Sequence, residues 1–331
     1  MKIAVLGAGA LGCALGGVLT EAGHEVWLVN RGRAHVDAMR GHGLVMRERR
    51  DVGVAAMVER TVPVRATTDC NEIAALSGPV DLLIVLVKSF HTEAAIASAL
   101  PIIGPRTTVL SLQNGLGHED VLAAAVGRER VIAGKTYAGG VLLGPGRIVV
   151  GTQGKETIIG ELDGTASARV REIAATFSAA GLLTRVSTNI VGTMWDKLLV
   201  NVATGALSAV TRLPYGELYA VPEVEATAVA AVAEAMAVAR AHGVALTATD
   251  PREPWIKAAA GLPFEFKASM LQSIEKGSVT EIDFVNGAVV RWGMRVGVPT
   301  PINQTLVACV KGVERSLLAT ANPSSTTRLA A

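Results

Sequence analysis

Read for hydrophobic periodicity, the chain changes character past its middle. Up to about residue 187, apolar residues come in short unbroken runs that stop at glycine or polar residues, as strands buried on both faces do. Such runs predict strands at 2–6, 25–29, 80–87, 107–112 and 182–186. Residues 41–64 and 131–160 read as short strands and loops, with Pro145-Gly146 as a turn and with charged residues that suit a surface. Helical spacing lies between the runs: at 11–19, in a short helix after Asp69, and at 167–180 with Ser167 as N-cap. From about residue 188 the strand-like runs cease. Helices are predicted at 190–210, 221–242, 264–275, 281–293 and 300–318, the second of them ended by Gly243. The pattern is that of an α/β domain over 1–187, with a doubly wound, Rossmann-type parallel sheet, and an all-α domain over 188–331. The tail at 321–331 is small and polar and is expected to be disordered.

The first apolar run carries the most specific signal. Gly7, Gly9 and Gly12 follow it in the spacing G-x-G-x-x-G and lead straight into a helix. Strand, tight turn and helix, in that order, set backbone N–H groups and a helix N-terminus against a pyrophosphate. Gly7 permits the turn, Gly9 lets phosphate approach the backbone and Gly12 lets helix and strand pack closely, while Ala8, Ala10 and Leu11 complete the loop. The second strand ends at Asn30-Arg31-Gly32-Arg33. An NAD site places Asp or Glu here for the ribose hydroxyls. A neutral Asn30 followed by Arg31 suits a 2′-phosphate instead, so NADP(H) is the expected cofactor. Lys88 and Asn114 follow the strands at 80–87 and 107–112, at carboxyl ends where open α/β sheets bind ligands.

Composition mainly excludes. A length of 331 residues suits two domains, and a net charge of +2 gives no reason to expect a nucleic-acid partner. No apolar run is long enough to span a bilayer, so no membrane partner is expected. Cys13, Cys70 and Cys309 are odd in number, far apart and without metal-type spacing, which fits a reduced, cytoplasmic protein and no metal site. The strand begins at once after Met1, so no signal peptide is expected. The expected assembly is a homodimer, although no stretch of the sequence marks an interface.

In the helical half the polar residues are ordered. Lys197, Asn201, Thr204 and Ser208 are four, three and four residues apart and form one stripe on a helix whose other directions carry Trp195, Leu198, Leu199, Val202 and Leu207. A lysine in such a helix either pairs structurally, snorkels to water, or lines a binding cleft. In a second cluster, Ser269 and Ser273 share a helix face, and Glu281 and Asp283 stand in the first turn of a helix that Ser278 or Thr280 would cap. Helix-terminus electrostatics alone would account for Glu281.

These motifs, taken in order, make the chain resemble the ketopantoate reductases from Met1 to about Glu314. They are G-A-G-A-L-G at Gly7, V-K ending at Lys88, Q-N-G at Gln113, P-G-R-I at Pro145, W-D-K-L at Trp195 with Asn201 four residues past the lysine, S-M at Ser269, and T-E-I-D-x-x-N-G at Thr280. The resemblance implies an oxidoreductase of pantothenate biosynthesis that reduces the small 2-oxo acid 2-dehydropantoate (ketopantoate) to (R)-pantoate with NADPH. It further implies Lys197 as the general acid with Glu281 beside it, Asn114 and Lys88 near nicotinamide and substrate, and Asn201 and Ser269 on the substrate. The chemistry agrees: hydride addition to a ketone builds charge on oxygen, which an ammonium neutralises and protonates. Two alternatives stay open, a reductase of a different 2-oxo acid or ketone, and a non-catalytic NADP(H)-binding regulator. The presence of Lys197 and Glu281 speaks against the second.

Three positions depart from the family's pattern. Gly205 stands where many relatives have a second Asn, Phe266 where many have a polar residue, and Ser273 where many have Asp. A glycine at 205 would open space near the lysine's helix face, and Phe266, one turn from Ser269 on the predicted helix, would add an apolar wall. The expectation that follows is a pocket suited to a bulkier or less hydroxylated substituent beside the ketone.

Overall fold

The computed structural model describes residues 1–49 and 57–321; the parts of the sequence reading that fall on 50–56 and 322–331, including the expectation for the tail, lie outside the described residues. The described chain divides into two compact units. One comprises Met1–Gln113 and Gly117–Val191; the other takes Asn114–Leu116 and the chain from Gly192 onward.

The first unit is built on an eight-stranded sheet. Its strands are β1 (Lys2–Leu6), β2 (Glu25–Val29), β5 (Arg65–Thr67), β6 (Leu82–Val85), β7 (Thr108–Ser111), β8 (Val131–Thr136), β11 (Thr157–Glu161) and β12 (Thr184–Val186). They lie in the order β12-β11-β8-β7-β6-β1-β2-β5, parallel throughout except where β11 meets β8. A second sheet, in the order β4-β3-β10-β9, gathers β3 (Leu44–Arg49), β4 (Met57–Val62), β9 (Gly139–Gly144) and β10 (Arg147–Gly151). Strands from the stretches 41–64 and 131–160 thus meet in one layer, with the Pro145-Gly146 turn between β9 and β10, while β8 and β11 of the second stretch join the main sheet.

Helix α1 (Ala10–Glu21) explains its own composition. A Cβ at Gly16 would sit 2.4 Å from the Leu28 side chain of the main sheet, and one at Gly17 2.4 Å from Met46 Sδ of the small sheet. The helix is glycine-rich and apolar all round because it is packed between two sheets. Around the main sheet lie α2 (Arg33–His42), α3 (Cys70–Ser77), α4 (Thr92–Ala99), α5 (His118–Val126) and α6 (Ala168–Ala179). Asp69 caps α3 by accepting from Asn71 N–H, and Ser167 caps α6 by accepting from Val170 N–H, as its position predicts.

The second unit is helical: α7 (Ile190–Thr211, which begins in the first unit), α8 (Tyr215–Leu218), α9 (Pro222–Ala241), α10 (Arg252–Ala259), α11 (Ser269–Glu275), α12 (Asn286–Val296) and α13 (Pro301–Ala321). Two expected helices are shorter than their pattern suggests. The segment from Phe264 to Ala268 is not helical, because the Phe264 and Phe266 carbonyls accept from Gly216 and Tyr215 N–H at the start of α8. The expected helix from Glu281 is instead a 3-10 turn, Ile282–Phe284, broken at Val285 before α12 begins. Helix α10 was not legible, since Pro254 reads as a breaker; its place in the first turn is one where proline is tolerated.

Candidate functional site

In the first unit the glycine turn has three different surroundings. Gly7 has φ +103°, and a Cβ there would lie 2.5 Å from Val87 N; at Gly12 a Cβ would lie 2.5 Å from the Gly7 carbonyl oxygen. At Gly9 a Cβ would meet nothing within 4 Å. Two glycines thus serve close backbone packing and the middle one leaves open space, the cradle a phosphate needs. No side chain caps α1, so its first-turn N–H groups are left for an anion. Ala8 is buried in the turn, its N–H on the Val29 carbonyl at 2.9 Å, while Ala10 and Leu11 open the helix half-buried.

Asn30 is committed to the backbone rather than to the exterior. Its Nδ2 donates to the Ala8 carbonyl at 2.7 Å, and its Oδ1 accepts from Gly32 N–H at 2.8 Å, so it locks the glycine turn to the end of β2. Arg31 is exposed and reaches His91 Nε2 at 2.8 Å. Partial burial, then the nearby guanidinium, lowers the His91 pKa. A cation at the β2 end with no carboxylate in the ribose slot fits NADP(H). Lys88 is exposed at the end of β6, next to the 3-10 turn Ser89–His91.

Sequence reasoning missed Gln113. Its Nε2 donates to the Val87 carbonyl at 2.9 Å and to Thr92 Oγ1 at 2.8 Å, tying together the ends of β6 and β7. It also missed Glu119, buried in the first turn of α5, whose carboxyl burial pushes up to about 7. An acidic residue beside an apolar run was the available signal.

The second unit brings together the segment carrying Asn114 and the turn carrying Glu281. Leu116 N–H donates to the Phe284 carbonyl at 3.0 Å. Gly115, at φ +95°, lies so close that a Cβ would be 2.4 Å from the same oxygen. The turn is held from beneath by a buried carboxylate: Glu314 Oε1 accepts from Thr280 N–H and Thr280 Oγ1, both at 2.7 Å. Thr280 Oγ1 in turn accepts from Ile282 N–H at 3.2 Å, and Lys311 pairs with both Asp283 and Glu314. Half-buried Glu281 heads this fixed turn.

The polar stripe of α7 divides. Lys197 and Asn201 are half-buried and one turn apart. Thr204 and Ser208 are buried and structural: Thr204 Oγ1 is 2.9 Å from the Tyr215 hydroxyl, and Ser208 donates to the Leu213 carbonyl at 2.8 Å. The neighbour of the lysine, Asp196, has a task of its own, accepting from Thr247 N–H at 3.0 Å and Thr247 Oγ1 at 2.7 Å. Ser269 is exposed at the start of α11.

The expectation of an opened pocket is corrected here. A Cβ on Gly205 would meet Met270 Cε at 3.3 Å and Sδ at 3.4 Å, so the glycine's space is filled by a side chain of α11. Phe266 precedes that helix and packs edge-on against Tyr215, with ring centroids 5.1 Å apart. Ser273 donates back to the Ser269 carbonyl at 3.1 Å within α11. A cavity of about 310 Å³ lined by Tyr215, Tyr219, Leu262 and Phe264 does exist. It opens beside Tyr215, the partner of Thr204, seven residues and thus about 10 Å along α7 from Lys197.

The family model for ketopantoate reductase PanE/ApbA matches residues 3–164, and that for its C-terminal part matches residues 189–314. The chain is 35% identical to a 2-dehydropantoate 2-reductase of Pyrococcus horikoshii over 315 residues, 95% of this chain and 98% of the relative. It superposes on a PanE/ApbA family ketopantoate reductase from Ralstonia eutropha JMP134 with a TM-score of 0.84 at 36% identity, covering 96% of this chain and 100% of the other. D-mandelate dehydrogenase in a ternary structure with NADH and anilino(oxo)acetate superposes with a TM-score of 0.85 at 28% identity, covering 96% and 100%.

Proposed function

Because this chain belongs to the ketopantoate reductase family, we propose that it reduces 2-dehydropantoate to (R)-pantoate with NADPH. The observation that carries the reading is the clip between Leu116 and Phe284, which supports a common working surface for Asn114 and Glu281. NADPH, when bound, supplies the hydride that adds to the ketone carbon. The glycine turn and the N-terminus of α1 hold its pyrophosphate, and Arg31 meets its 2′-phosphate.

Lys197 is the general acid. As the carbonyl π electrons move onto oxygen, its ammonium offsets the growing negative charge and then gives a proton to that oxygen. An alkoxide is far more basic than an amine, so the transfer runs downhill. Glu281 orients the ammonium and accepts from the product hydroxyl, while Asn114, Asn201 and Ser269 bind the substrate's polar groups. Lys88 stands on the cofactor side of the reaction.

A second reading, reduction of a different 2-oxo acid, is favoured by the likeness to D-mandelate dehydrogenase. Met270 takes the space at Gly205 and so removes that part of the sequence argument for it. Purified protein incubated with NADPH and either ketopantoate or 2-oxo acids with larger apolar side chains decides between the two. Fast oxidation of NADPH with ketopantoate supports the first reading, and oxidation only with the others supports the second. Oxidation with none returns the chain to the regulator alternative.

The exposed Val141, Leu142 and Leu143 of edge strand β9 support the homodimer, which sedimentation would test. Among the described residues no helix is long and apolar enough to cross a membrane. The cytoplasm is the compartment we propose, supported by three cysteines that are all free.

A further inference from the structure

Lys135 is a charged residue inside β8, whose other residues are uncharged, and only 7% of it is exposed. Among the described residues its ammonium has one hydrogen-bond partner, the Tyr137 hydroxyl at 3.2 Å, and it sits 5.2 Å from the centre of that ring. No carboxylate among the described residues lies within ion-pair distance of it. A lysine this deep is rarely left without an anion, because desolvating the ammonium is costly unless a counter-charge compensates.

Its place in the sheet indicates the anion. Strand β8 runs parallel to β7 with Ser111 opposite Ala133, so Lys135 lies two residues further along, level with Gln113. Gln113 is itself bound to the end of β6, so the carboxyl ends of β6, β7 and β8 form one ledge in the first unit. This is the edge at which open α/β sheets bind ligands. The glycine turn follows β1, three strands from β8, or about 14 Å away at ordinary strand spacing. A pyrophosphate held there is out of reach, and the 2′-phosphate beyond β2 is further still.

We propose that Lys135 is an anion-binding residue that takes the carboxylate of the 2-oxo acid, with Tyr137 holding the ammonium in place. The identity of the ligand rests on the reductase reading above; the presence of an anion site does not.

The test compares wild type with Lys135→Met and Lys135→Arg. Binding of oxamate, an unreactive 2-oxo acid mimic, to the enzyme–NADPH complex is read by NADPH fluorescence. Substitution by Met is expected to weaken oxamate by about 10- to 150-fold, the range for a charge-assisted hydrogen bond, and to leave NADPH affinity within about twofold. Substitution by Arg should retain most of the oxamate affinity. Unchanged oxamate binding in the Met variant, or an equal loss of NADPH, would overturn the assignment. A variant that fails to fold leaves a test on wild type alone: turnover of a 2-oxo acid against its methyl ester. Strong preference for the acid supports the anchor, and equal use of the ester overturns it. Should wild type reduce neither, the reductase reading falls, and oxamate binding still decides the anion site.

Discussion

Leu116 donates its backbone N–H to the carbonyl of Phe284, joining two segments that lie 168 residues apart in the sequence. Gly115 makes that approach feasible, since it has φ +95° and a Cβ would press on the same carbonyl oxygen. The substitution Gly115→Ala therefore has two costs, a strained left-handed backbone and a collision with backbone that cannot swing away. We expect kcat to fall by at least about tenfold, or roughly 1.4 kcal/mol, with NADPH affinity nearly unchanged. Steady-state kinetics and a fluorescence titration check this. Wild-type kcat in the variant would remove the clip from the account of the site.

Lys197 and Glu281 are expected to act as a unit. Lys197→Ala should lower kcat by about 10²–10⁴-fold while NADPH still binds. Glu281→Ala should weaken both turnover and substrate binding, and the double variant should be less than multiplicatively worse. The buried clamp offers a control at a distance: Glu314→Ala frees Thr280 and should mimic a weakened Glu281, with a smaller loss. Multiplicative losses in the double variant would mean that the two groups work separately.

We expect cofactor choice to depend on Arg31, since Asn30 is spent on Ala8 and Gly32. Arg31→Ala should raise KM for NADPH and barely change KM for NADH. An equal rise for both would assign the guanidinium to something other than the 2′-phosphate.

Much of this architecture was legible because it is written locally. Strands β1 and β2 are apolar runs ended by turn residues, and Gly12 answers to Gly7, five residues before it, although Gly7 itself answers to Val87, just past the end of the neighbouring strand β6. What was illegible depends on partners far along the chain. The turn after Glu281 departs from a helix while Thr280 is held by Glu314, 34 residues away. Residues 264–268 leave the helical path to serve α8, some 50 residues earlier in the chain. The stripe on α7 is real as a pattern, yet half of it is hydrogen-bonded scaffold, and side-chain type alone does not separate Asn201 from Thr204.

Glu119 gives the stability a pH dependence. Burial raises its carboxyl from an ordinary 4.5 to about 7, against hydrogen bonds from its own and Gly117 N–H and from Ser111. The folded chain thus keeps a proton through a range where the unfolded chain has lost it. The stability from this group is complete below the unfolded value and is lost as pH rises through about 7. Glu119→Gln keeps the shape and removes the titration. Its Tm should match wild type near about pH 4 and exceed it by several degrees near about pH 8, for a gain of about 3 kcal/mol. A Tm difference that does not grow with pH would count against the raised carboxyl.

Gly205 is the sharpest case of sequence and structure pointing in opposite directions. Read from the pattern, it removes an amide and opens the pocket, so that Gly205→Asn should shift preference toward ketopantoate. In the fold, the space at Gly205 is occupied by Met270, whose terminal methyl and sulfur would lie 3.3 and 3.4 Å from a new Cβ. Methionine is flexible, and Gly205→Ala should cost little or even stabilise the helix, since alanine is the better helix former. Asparagine adds an amide that must displace Met270 from a packed interface, at about 1–3 kcal/mol. Met270 adjoins Ser269, so the displacement would reach the position we propose for substrate binding, as a loss for every substrate alike. The expected result is a lower Tm and a lower kcat/KM for ketopantoate and for bulkier 2-oxo acids, with their ratio unchanged. Thermal unfolding together with kinetics on both substrates measures this, and a ratio that moved toward ketopantoate at unchanged Tm would restore the pocket reading.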